Sequence, residues 1–328
     1  MHRLEPLFAR LKSIPNLDLR RDAPLSEYTR FGVGGPADLL AEASGEAAAI
    51  AALNALRESG APFEVIAGGT NLIVSDAGFR GAVLRFTAHR IDVEGQRIRV
   101  EAGAVLQALV DESIGHGLEN LHTMTGIPGS VGAAVYGNAG AYGHSISESV
   151  TGVRFHDSRE VRFVDNAGCE FRYRESIFKR HKDWLILSAD LDLPRGDQAK
   201  LAETADSILK VRNEKYPPTM KCAGSIFKNL LFRELPESAR REVPDKVVRE
   251  GKVPSAWFLE QAGAKGIRNG GIHVADYHAN LIYNAGGGTA RQVCEVIDDL
   301  KARVESRFGF ALEEEVQYVG FNGTRPLR

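Results

Sequence analysis

The sequence predicts an α+β protein with at least two domains. Its 328 residues are enough for two or more hydrophobic cores. Apolar residues recur at helical spacing in 46–58, whereas the short apolar run 63–67 is typical of a buried strand. A linker-like Gly196-Asp197-Gln198 follows Pro194, and we place a domain boundary there. The predicted division has three parts: an N-terminal segment over 1–27 that contains one short helix, a first domain over 28–195 and a second domain over 196–328.

Composition excludes several classes of protein. Hydrophobic residues make up 43% of the chain and charged residues 26%, as in ordinary soluble proteins. The net charge of −2 gives no reason to expect nucleic acid or an anionic membrane as partner. Three widely spaced cysteines suggest neither a disulfide framework nor a metal site, which fits a reducing compartment. No apolar run reaches membrane-spanning length and no signal-peptide core is present, so we expect a cytoplasmic protein.

The first domain is predicted to mix short strands with amphipathic helices. A helix over the first dozen residues ends at Pro15, and a second helix over 46–58 has Gly60 where a C-cap belongs. A third helix contains Leu106 and ends near Gly115. The predicted strands are 37–41, 63–67, 81–86, 97–102, an exposed hairpin of 150–155 with 161–164, and 184–193.

The second domain is predicted to begin with a long charged helix over 199–214, which Pro217-Pro218 stops. Thr289 and Gln292 have the spacing of a capping box, and an apolar helical face follows them. The predicted strands are 271–274, 281–284 and 313–319.

The segment 123–143 is the most unusual part of the sequence, because six of its 21 residues are glycine. A short helical turn over 130–136 would point its free N–H groups at the loop 126–129. Helix starts behind glycine loops bind anions such as dinucleotide pyrophosphates. The alternative is a flexible surface loop, which the spaced apolar residues Ile127, Val131 and Val135 argue against.

A second glycine loop, Gly68-Gly69-Thr70-Asn71-Leu72, follows the predicted strand 63–67 directly. Its backbone N–H groups, with a hydroxyl and an amide beside them, could form a phosphate cradle. It matches neither the Walker loop nor Gly-x-Gly-x-x-Gly, and it could equally be a turn between strands. Two such loops in one domain favour a large ligand more than either does alone.

Six motifs occur in a fixed order along nearly the whole chain, from about Thr29 to Gly320. They are Ala67-Gly-Gly-Thr-Asn-Leu72, Thr125-Gly-Ile-Pro-Gly-Ser-Val-Gly132, Asn138-Ala-Gly-Ala-Tyr-Gly143, Tyr173-Arg-Glu-Ser-Ile-Phe-Lys179, Ala223-Gly-Ser-Ile-Phe-Lys-Asn229 and Leu312-Glu-Glu-Glu-Val316. Together they resemble the UDP-N-acetylenolpyruvoylglucosamine reductase family, flavoenzymes that complete UDP-N-acetylmuramic acid for peptidoglycan. At two positions, Leu230 and Gly137, this chain has a residue that differs from the one common in that family. These differences would adjust the local backbone without removing a chemical group.

The resemblance implies an FAD-binding fold of the vanillyl-alcohol-oxidase type, made of two α+β subdomains, followed by an α+β substrate domain. It implies NADPH as reductant and a UDP-sugar enolpyruvyl ether as substrate. Since neither glycine loop contains histidine or cysteine, we expect non-covalent FAD. The chain resembles the shorter form of the family, although Tyr216 leaves open whether a tyrosine covers the substrate. The implied cofactor-binding residues are Gly68, Gly69, Thr70, Asn71, Leu72, Gly126, Ile127, Pro128, Gly129, Ser130 and Gly132.

Three residues are the catalytic candidates that the resemblance implies. Arg174 would pair with the substrate carboxylate, Ser225 would donate a proton, and Glu315 would support the charge pattern or the proton path. Taken singly, each has a structural alternative. Arg174 could pair with a surface carboxylate, Ser225 could be a turn residue, and Glu315 could lie on a solvated face. The family resemblance favours the catalytic interpretation of all three.

Asn229 and Lys265 resemble positions that contact the nucleotide diphosphate, whereas His278 is expected to be structural. Two other functions remain open: a flavin oxidase of the same fold acting on a small alcohol or lactone, and a non-catalytic flavin-binding module. Neither needs Arg174, Ser225 and Glu315 together. No metal site is expected, and the sequence gives no oligomeric state.

Overall fold

The computed structural model describes residues 4–321, so the outer ends of the predicted segments 1–27 and 196–328 lie outside the described residues. The α-helices between these limits confirm the predicted helices over 46–58 and 199–214. They are α1 (Glu5–Lys12), α2 (Glu46–Ser59), α3 (Leu106–Gly115), α4 (Val131–Tyr136), α5 (Ile177–Arg180), α6 (Gln198–Lys215), α7 (Glu237–Glu242), α8 (Ser255–Gln261) and α9 (Ala290–Phe308).

The strands confirm the positions of most predicted strands. They are β1 (Leu17–Pro24), β2 (Pro36–Ala43), β3 (Phe63–Ile66), β4 (Leu72–Val74), β5 (Phe79–Phe86), β6 (Ile91–Glu94), β7 (Arg97–Glu101), β8 (Gly140–Ala141), β9 (His144–Ser145), β10 (Val150–His156), β11 (Val161–Asp165), β12 (Leu185–Asp192), β13 (Lys221–Ser225), β14 (Leu230–Leu231), β15 (Lys252–Val253), β16 (Arg268–Asn269), β17 (Ile272–Ala275), β18 (His278–Asn284) and β19 (Gln317–Val319).

The chain forms two compact units, and each contains more than one segment. Of the described residues, unit 1 comprises 4–23, 37–68 and 80–214, and unit 2 comprises 24–36, 69–79 and 215–321. These limits differ from the predicted boundaries after 27 and 195.

The predicted boundary at 195 differs because the segment after Pro194 is held within unit 1. Leu118 and Arg195 form a β-bridge, and the Gly196 amide donates to the Gly117 carbonyl over 2.9 Å. Leu201 in α6 is buried as well. Residues 195–201 therefore pack on unit 1 and do not form a linker.

Unit 1 contains a four-stranded sheet in the order β1-β2-β5-β3 and a five-stranded sheet in the order β11-β10-β12-β7-β6. Strands β3 and β5 are parallel, and the pairs of the five-stranded sheet are antiparallel. Helix α2 ends at Gly60, whose φ of +65° is the left-handed C-cap that the sequence predicts. Its alanine and leucine face packs in one core with strand residues such as Leu84 and Val100.

Unit 2 is built on an antiparallel sheet in the order β13-β18-β17-β16, with β19 and β4 as a separate parallel pair. Helix α9 begins with the predicted capping box, in which Thr289 Oγ1 accepts from the Gln292 amide and the Gln292 side chain accepts from the Thr289 amide. The Asp76 carboxylate accepts from the first two amides of α9, at 2.8 and 2.9 Å. A carboxylate at this end also stabilises the helix dipole.

Two features bear on the compartment and on membranes. Cys169, Cys222 and Cys294 are all buried, and none of the three forms a disulfide. Over residues 4–321, none of the helices combines the length and the apolar character needed to span a bilayer.

Candidate functional site

The glycine-rich stretch of unit 1 forms the short helix that the sequence predicts. Ser130 is the N-cap of α4, and its Oγ accepts from the Ala133 amide over 3.3 Å. A Cβ on Gly132 would lie 2.9 Å from the Cβ of Ala102 and 3.0 Å from its carbonyl oxygen. Glycine at 132 therefore lets the first turn of α4 pack directly on the chain that follows β7.

The loop before α4, residues 126–129, forms a backbone arch that hydrogen bonds hold in place. Gly126 and Gly129 have φ values of +76° and +117°, which favour glycine. The Gly126 amide donates to Gln107 Oε1 over 2.7 Å, and the Gly129 carbonyl accepts from the Leu106 amide over 2.9 Å. Within residues 4–321, the amides of Gly129 and Ser130 donate to no protein acceptor. Two neighbouring backbone N–H groups that the arch holds in fixed positions can donate to an anionic group such as a pyrophosphate.

The two glycine loops meet in unit 1 through Gly68, where a Cβ would lie 3.5 Å from the Gly129 Cα. The rest of the first loop, 69–72, belongs to unit 2. There Gly69 has φ +65°, and a Cβ on it would lie 1.8 Å from the Tyr28 carbonyl oxygen, so no other residue fits. Asn71 Nδ2 donates to the Glu315 carbonyl over 2.9 Å, so this side chain positions a catalytic candidate within unit 2.

Arg174 lies in unit 1 at a tight turn, since the backbone groups of Arg172 and Glu175 exchange hydrogen bonds of 3.0 and 3.1 Å. Its φ of +58° is unusual for a non-glycine residue. The guanidinium donates to the carbonyls of Asn138 and Gly140, at 3.3 and 3.0 Å. The structure thus brings the third and fourth family motifs together, and strained backbone of this kind clusters at functional sites.

The surroundings of the Arg174 turn are charged. Lys179 Nζ donates to the Arg174 carbonyl over 2.8 Å and to Glu175 Oε1 over 2.9 Å. Burial, together with the charges of Glu175 and Glu64, raises the pKa of Tyr136 to about 12. Tyr136 therefore stays a neutral phenol near pH 7.

Ser225 and Glu315 lie on neighbouring segments of unit 2. Ser225 ends β13 opposite Leu281 of β18, directly after Gly224 with φ +73°. The Glu315 amide donates to the Ile226 carbonyl over 2.7 Å. The predicted strand 313–319 is therefore wrong in its first part, because 313–315 follow the segment after Ser225 and only β19 pairs with β4.

The three adjacent glutamates have different surroundings. Glu313 pairs with Lys228, whose side chain is only 10% exposed, while Glu314 pairs with Lys301 over 2.9 Å and accepts from the Tyr318 hydroxyl. Glu315 is fixed through its backbone, which Ile226 and Asn71 bind.

Asn280 is a positioning residue that the sequence reasoning did not find. Its side chain is 98% buried, and Oδ1 accepts from the amides of Ile226 and Phe227 at 3.1 and 2.9 Å. Its Nδ2 donates to the Phe227 carbonyl and to Ser255 Oγ, at 2.9 and 2.7 Å. The available indication was an amide between apolar residues of β18, Ala279 and Leu281, because buried amides need hydrogen-bond partners.

Tyr216 and His278 lie beside Ser225 in unit 2. Tyr216 Oη is 3.2 Å from Ser225 Oγ, and the rings of Tyr216 and His278 are 6.2 Å apart. His278 Nδ1 accepts from the Asn280 amide over 3.4 Å. Burial, and then the charges of Lys215 and Lys265, lower the pKa of His278 to about 4, so the imidazole is neutral near pH 7.

The two proposed substrate contacts also lie in unit 2. Asn229 Oδ1 accepts from the Ser255 amide over 3.3 Å, which orients its side chain. Lys265 Nζ is 3.1 Å from Glu260 Oε1, with 40% of its side chain exposed. Across 4–321, no group of three or more His, Cys, Asp or Glu residues is placed to hold a metal ion.

Comparisons with known proteins identify the family of this chain. Residues 37–162 match the FAD binding domain family, and residues 216–319 match the C-terminal domain of UDP-N-acetylenolpyruvoylglucosamine reductase. The reductase of Solibacter usitatus is 64% identical over 311 residues, which cover 95% of this chain and 100% of that protein. The reductase of Bacillus subtilis is 32% identical, covering 91% and 93%.

A solved structure agrees as well. The UDP-N-acetylenolpyruvylglucosamine reductase of Thermus caldophilus matches with a TM-score of 0.71 at 25% identity, covering 92% of this chain and 98% of that one. The expected FAD-binding fold with a C-terminal α+β domain is thereby confirmed. This chain belongs to the UDP-N-acetylenolpyruvoylglucosamine reductase family.

Proposed function

We propose that this protein reduces the enolpyruvyl ether of UDP-N-acetylglucosamine to UDP-N-acetylmuramate with NADPH, in peptidoglycan precursor synthesis. The observation that carries the proposal is the 64% identity to a reductase of that name over 95% of the chain. Its three buried cysteines form no disulfide, which suits the reducing cytoplasm, where we place the reaction. The oxidase and the binding module lack the support of the C-terminal family match over 216–319.

The residues of the two glycine loops fit FAD. Gly68 and Gly129 bring two backbones together, and the free amides of Gly129 and Ser130 suit the pyrophosphate. Gly126, Ile127, Pro128 and Gly132 shape the same arch, while Gly69, Thr70, Asn71 and Leu72 complete the first loop. Bound FAD supplies the hydride that the methylene carbon of the substrate receives.

Acid precipitation should release all the yellow colour of the purified protein into the supernatant. Neither glycine loop contains a histidine or cysteine that could bond to the flavin, so the cofactor is held by non-covalent contacts alone. Absorbance of supernatant and pellet measures the outcome, and colour that remains in the washed pellet contradicts this prediction.

The remaining chemistry is carried by three side chains in their proposed roles. Arg174 pairs with the substrate carboxylate and stabilises the charge that develops on it as hydride arrives. Ser225 donates a proton to the carbon that bears the carboxylate, and Glu315 supports the charge pattern around that transfer. Backbone contacts support two of these roles: the strained turn holds Arg174, and the Asn71 and Ile226 contacts hold Glu315.

Asn229 and Lys265 are the proposed contacts to the nucleotide diphosphate. The Lys265 ammonium is a suitable partner for phosphate oxygens, and its partial exposure leaves it accessible. By function, as distinct from the compact units of the fold, we propose 28–195 as the FAD-binding region and 196–328 as the substrate-binding region of the shorter family form. The substrate is a small molecule, and the proposal requires no nucleic acid or membrane partner.

One assay tests the whole proposal. Purified protein is mixed with NADPH, and loss of nicotinamide absorbance is followed with and without the enolpyruvyl sugar nucleotide. We expect sustained oxidation only when the sugar nucleotide is present, with one NADPH consumed for each UDP-N-acetylmuramate formed. Equal rates in both samples, with consumption of oxygen, would instead indicate an oxidase. An absence of flavin bleaching by NADPH would indicate a binding module.

A further inference from the structure

The loop between α6 and β13 places a tyrosine hydroxyl against Ser225. Lys215 ends α6, Tyr216 follows it, and the Met220 amide donates to the Pro217 carbonyl over 2.8 Å. The turn joins α6 to β13, and Tyr216 Oη lies 3.2 Å from Ser225 Oγ at the end of β13. That distance is longer than the usual range of about 2.5–3.0 Å for a hydrogen bond between two hydroxyls.

The Tyr216 ring is enclosed on several sides within unit 2. It packs on the small apolar cluster of Cys222, Ala275 and Leu281, and the Lys215 ammonium lies 5.2 Å from its ring centroid. The His278 ring, itself 91% buried, is its other aromatic neighbour. These contacts hold the hydroxyl in place when the side chain of Ser225 changes charge.

A serine hydroxyl has only one proton, so the direction of this hydrogen bond matters for catalysis. If Ser225 donated to Tyr216, its proton would be engaged and could not reach a substrate carbon. If Tyr216 donates, an oxygen lone pair of Ser225 is occupied and the serine proton is free to point elsewhere. A donor to Oγ also stabilises the negative charge that appears there as the proton leaves.

We propose that Tyr216 is a positioning residue that donates a hydrogen bond to Ser225 Oγ, directs the serine proton toward the substrate and stabilises the resulting alkoxide. In the step itself, the O–H bond of Ser225 breaks and a C–H bond forms at the carbon that bears the carboxylate, with the electron pair of the enolate. Tyr216 keeps its proton, and water returns a proton to Ser225 before the next turnover. The inference rests on the proposed role of Ser225.

A double-mutant cycle tests this inference with the FAD-loaded enzyme. The variants are Tyr216→Phe, Ser225→Ala and the double variant, and rapid mixing measures flavin reduction by NADPH and reoxidation by the enolpyruvyl sugar nucleotide separately. Tyr216→Phe should leave flavin reduction unchanged and slow reoxidation by about tenfold, the effect of one lost hydrogen bond to a charged group. In the Ser225→Ala background, the same change should have no further effect.

Tyr277→Phe is the matched control. Its hydroxyl donates to the Lys215 carbonyl over 2.9 Å, so this variant also removes a phenol hydroxyl that anchors the same loop. It should reoxidise at the wild-type rate. A loss equal to that of Tyr216→Phe would show that loop anchoring matters and not the bond to Ser225, and the inference would be overturned.

The other outcomes separate the inference from the function on which it rests. Slow reoxidation in Ser225→Ala together with normal reoxidation in Tyr216→Phe overturns the inference alone. A tenfold loss that persists in the Ser225→Ala background means that Tyr216 acts on the substrate directly, which also overturns it. Normal reoxidation in Ser225→Ala removes the proton-donor role of Ser225 and this inference together.

Discussion

Ser225→Ala should bind FAD and be bleached by NADPH at nearly the normal rate, yet be reoxidised by the enolpyruvyl sugar nucleotide roughly 10²–10⁴-fold more slowly. The reason is that the serine proton is needed only when the substrate carbon is protonated. Flavin absorbance followed by rapid mixing, with each half-reaction run separately, measures both rates. Folding is expected to survive, because the Asn280 side chain holds the backbone that follows residue 225.

Ser225→Cys is the companion variant. A thiol can also donate a proton, so part of the reoxidation rate should return. If Ser225 were only a turn residue, alanine would cost a little stability and leave both half-reactions close to normal. Near-normal reoxidation in Ser225→Ala would therefore end the proposed role.

Gly129→Val should weaken FAD binding by at least about tenfold. The φ of +117° at this position is strained for any side chain, and most of all for a β-branched one. The new side chain would also project from an arch whose neighbour Gly68 approaches it closely. The ratio of flavin to protein absorbance after dialysis, with a titration of added FAD, measures the loss.

Gly137→Ala is the matched control in the same stretch. Gly137 has φ −97°, and a Cβ on it would lie 3.5 Å from the Ala133 carbonyl oxygen, an ordinary contact. This variant should retain its flavin. Full flavin occupancy in a folded Gly129→Val protein would count against the assignment of this loop to the cofactor.

Local features of the fold were predictable from the sequence because their causes are local. The Gly60 C-cap, the Thr289 capping box and the helical turn after Ser130 each depend on a few adjacent residues, and the structure confirms all three. The hairpin of β10 and β11 was predictable for the same reason, but the expectation that it is exposed is wrong for β10, whose Val153 and Phe155 are buried. The pairing of β10 with β12 could not be predicted in this way. Whether a strand has a hydrogen-bonded neighbour at its second edge depends on residues distant in sequence.

The arrangement of the chain in two interleaved units could not be predicted from composition. The first loop looks continuous in sequence, yet Gly68 and Gly69 belong to different units. The family motifs predicted which residues matter, but they did not predict that Asn71 would bind the Glu315 backbone or that Asn280 would organise the segment after Ser225. Such contacts arise only when separate segments fold together.

The pairing of β4 with β19 has a consequence for the synthesis of this protein. Asn71 and Glu315 are 244 residues apart, and Leu72–Val74 cannot find their parallel partner until the ribosome has made 317–319. At typical translation rates this interval is on the order of ten to fifty seconds. Ile73 and Val74, buried in the native state, then lie on an unpaired strand, which invites aggregation and chaperone binding. A nascent chain stalled before residue 317 would keep that strand unpaired.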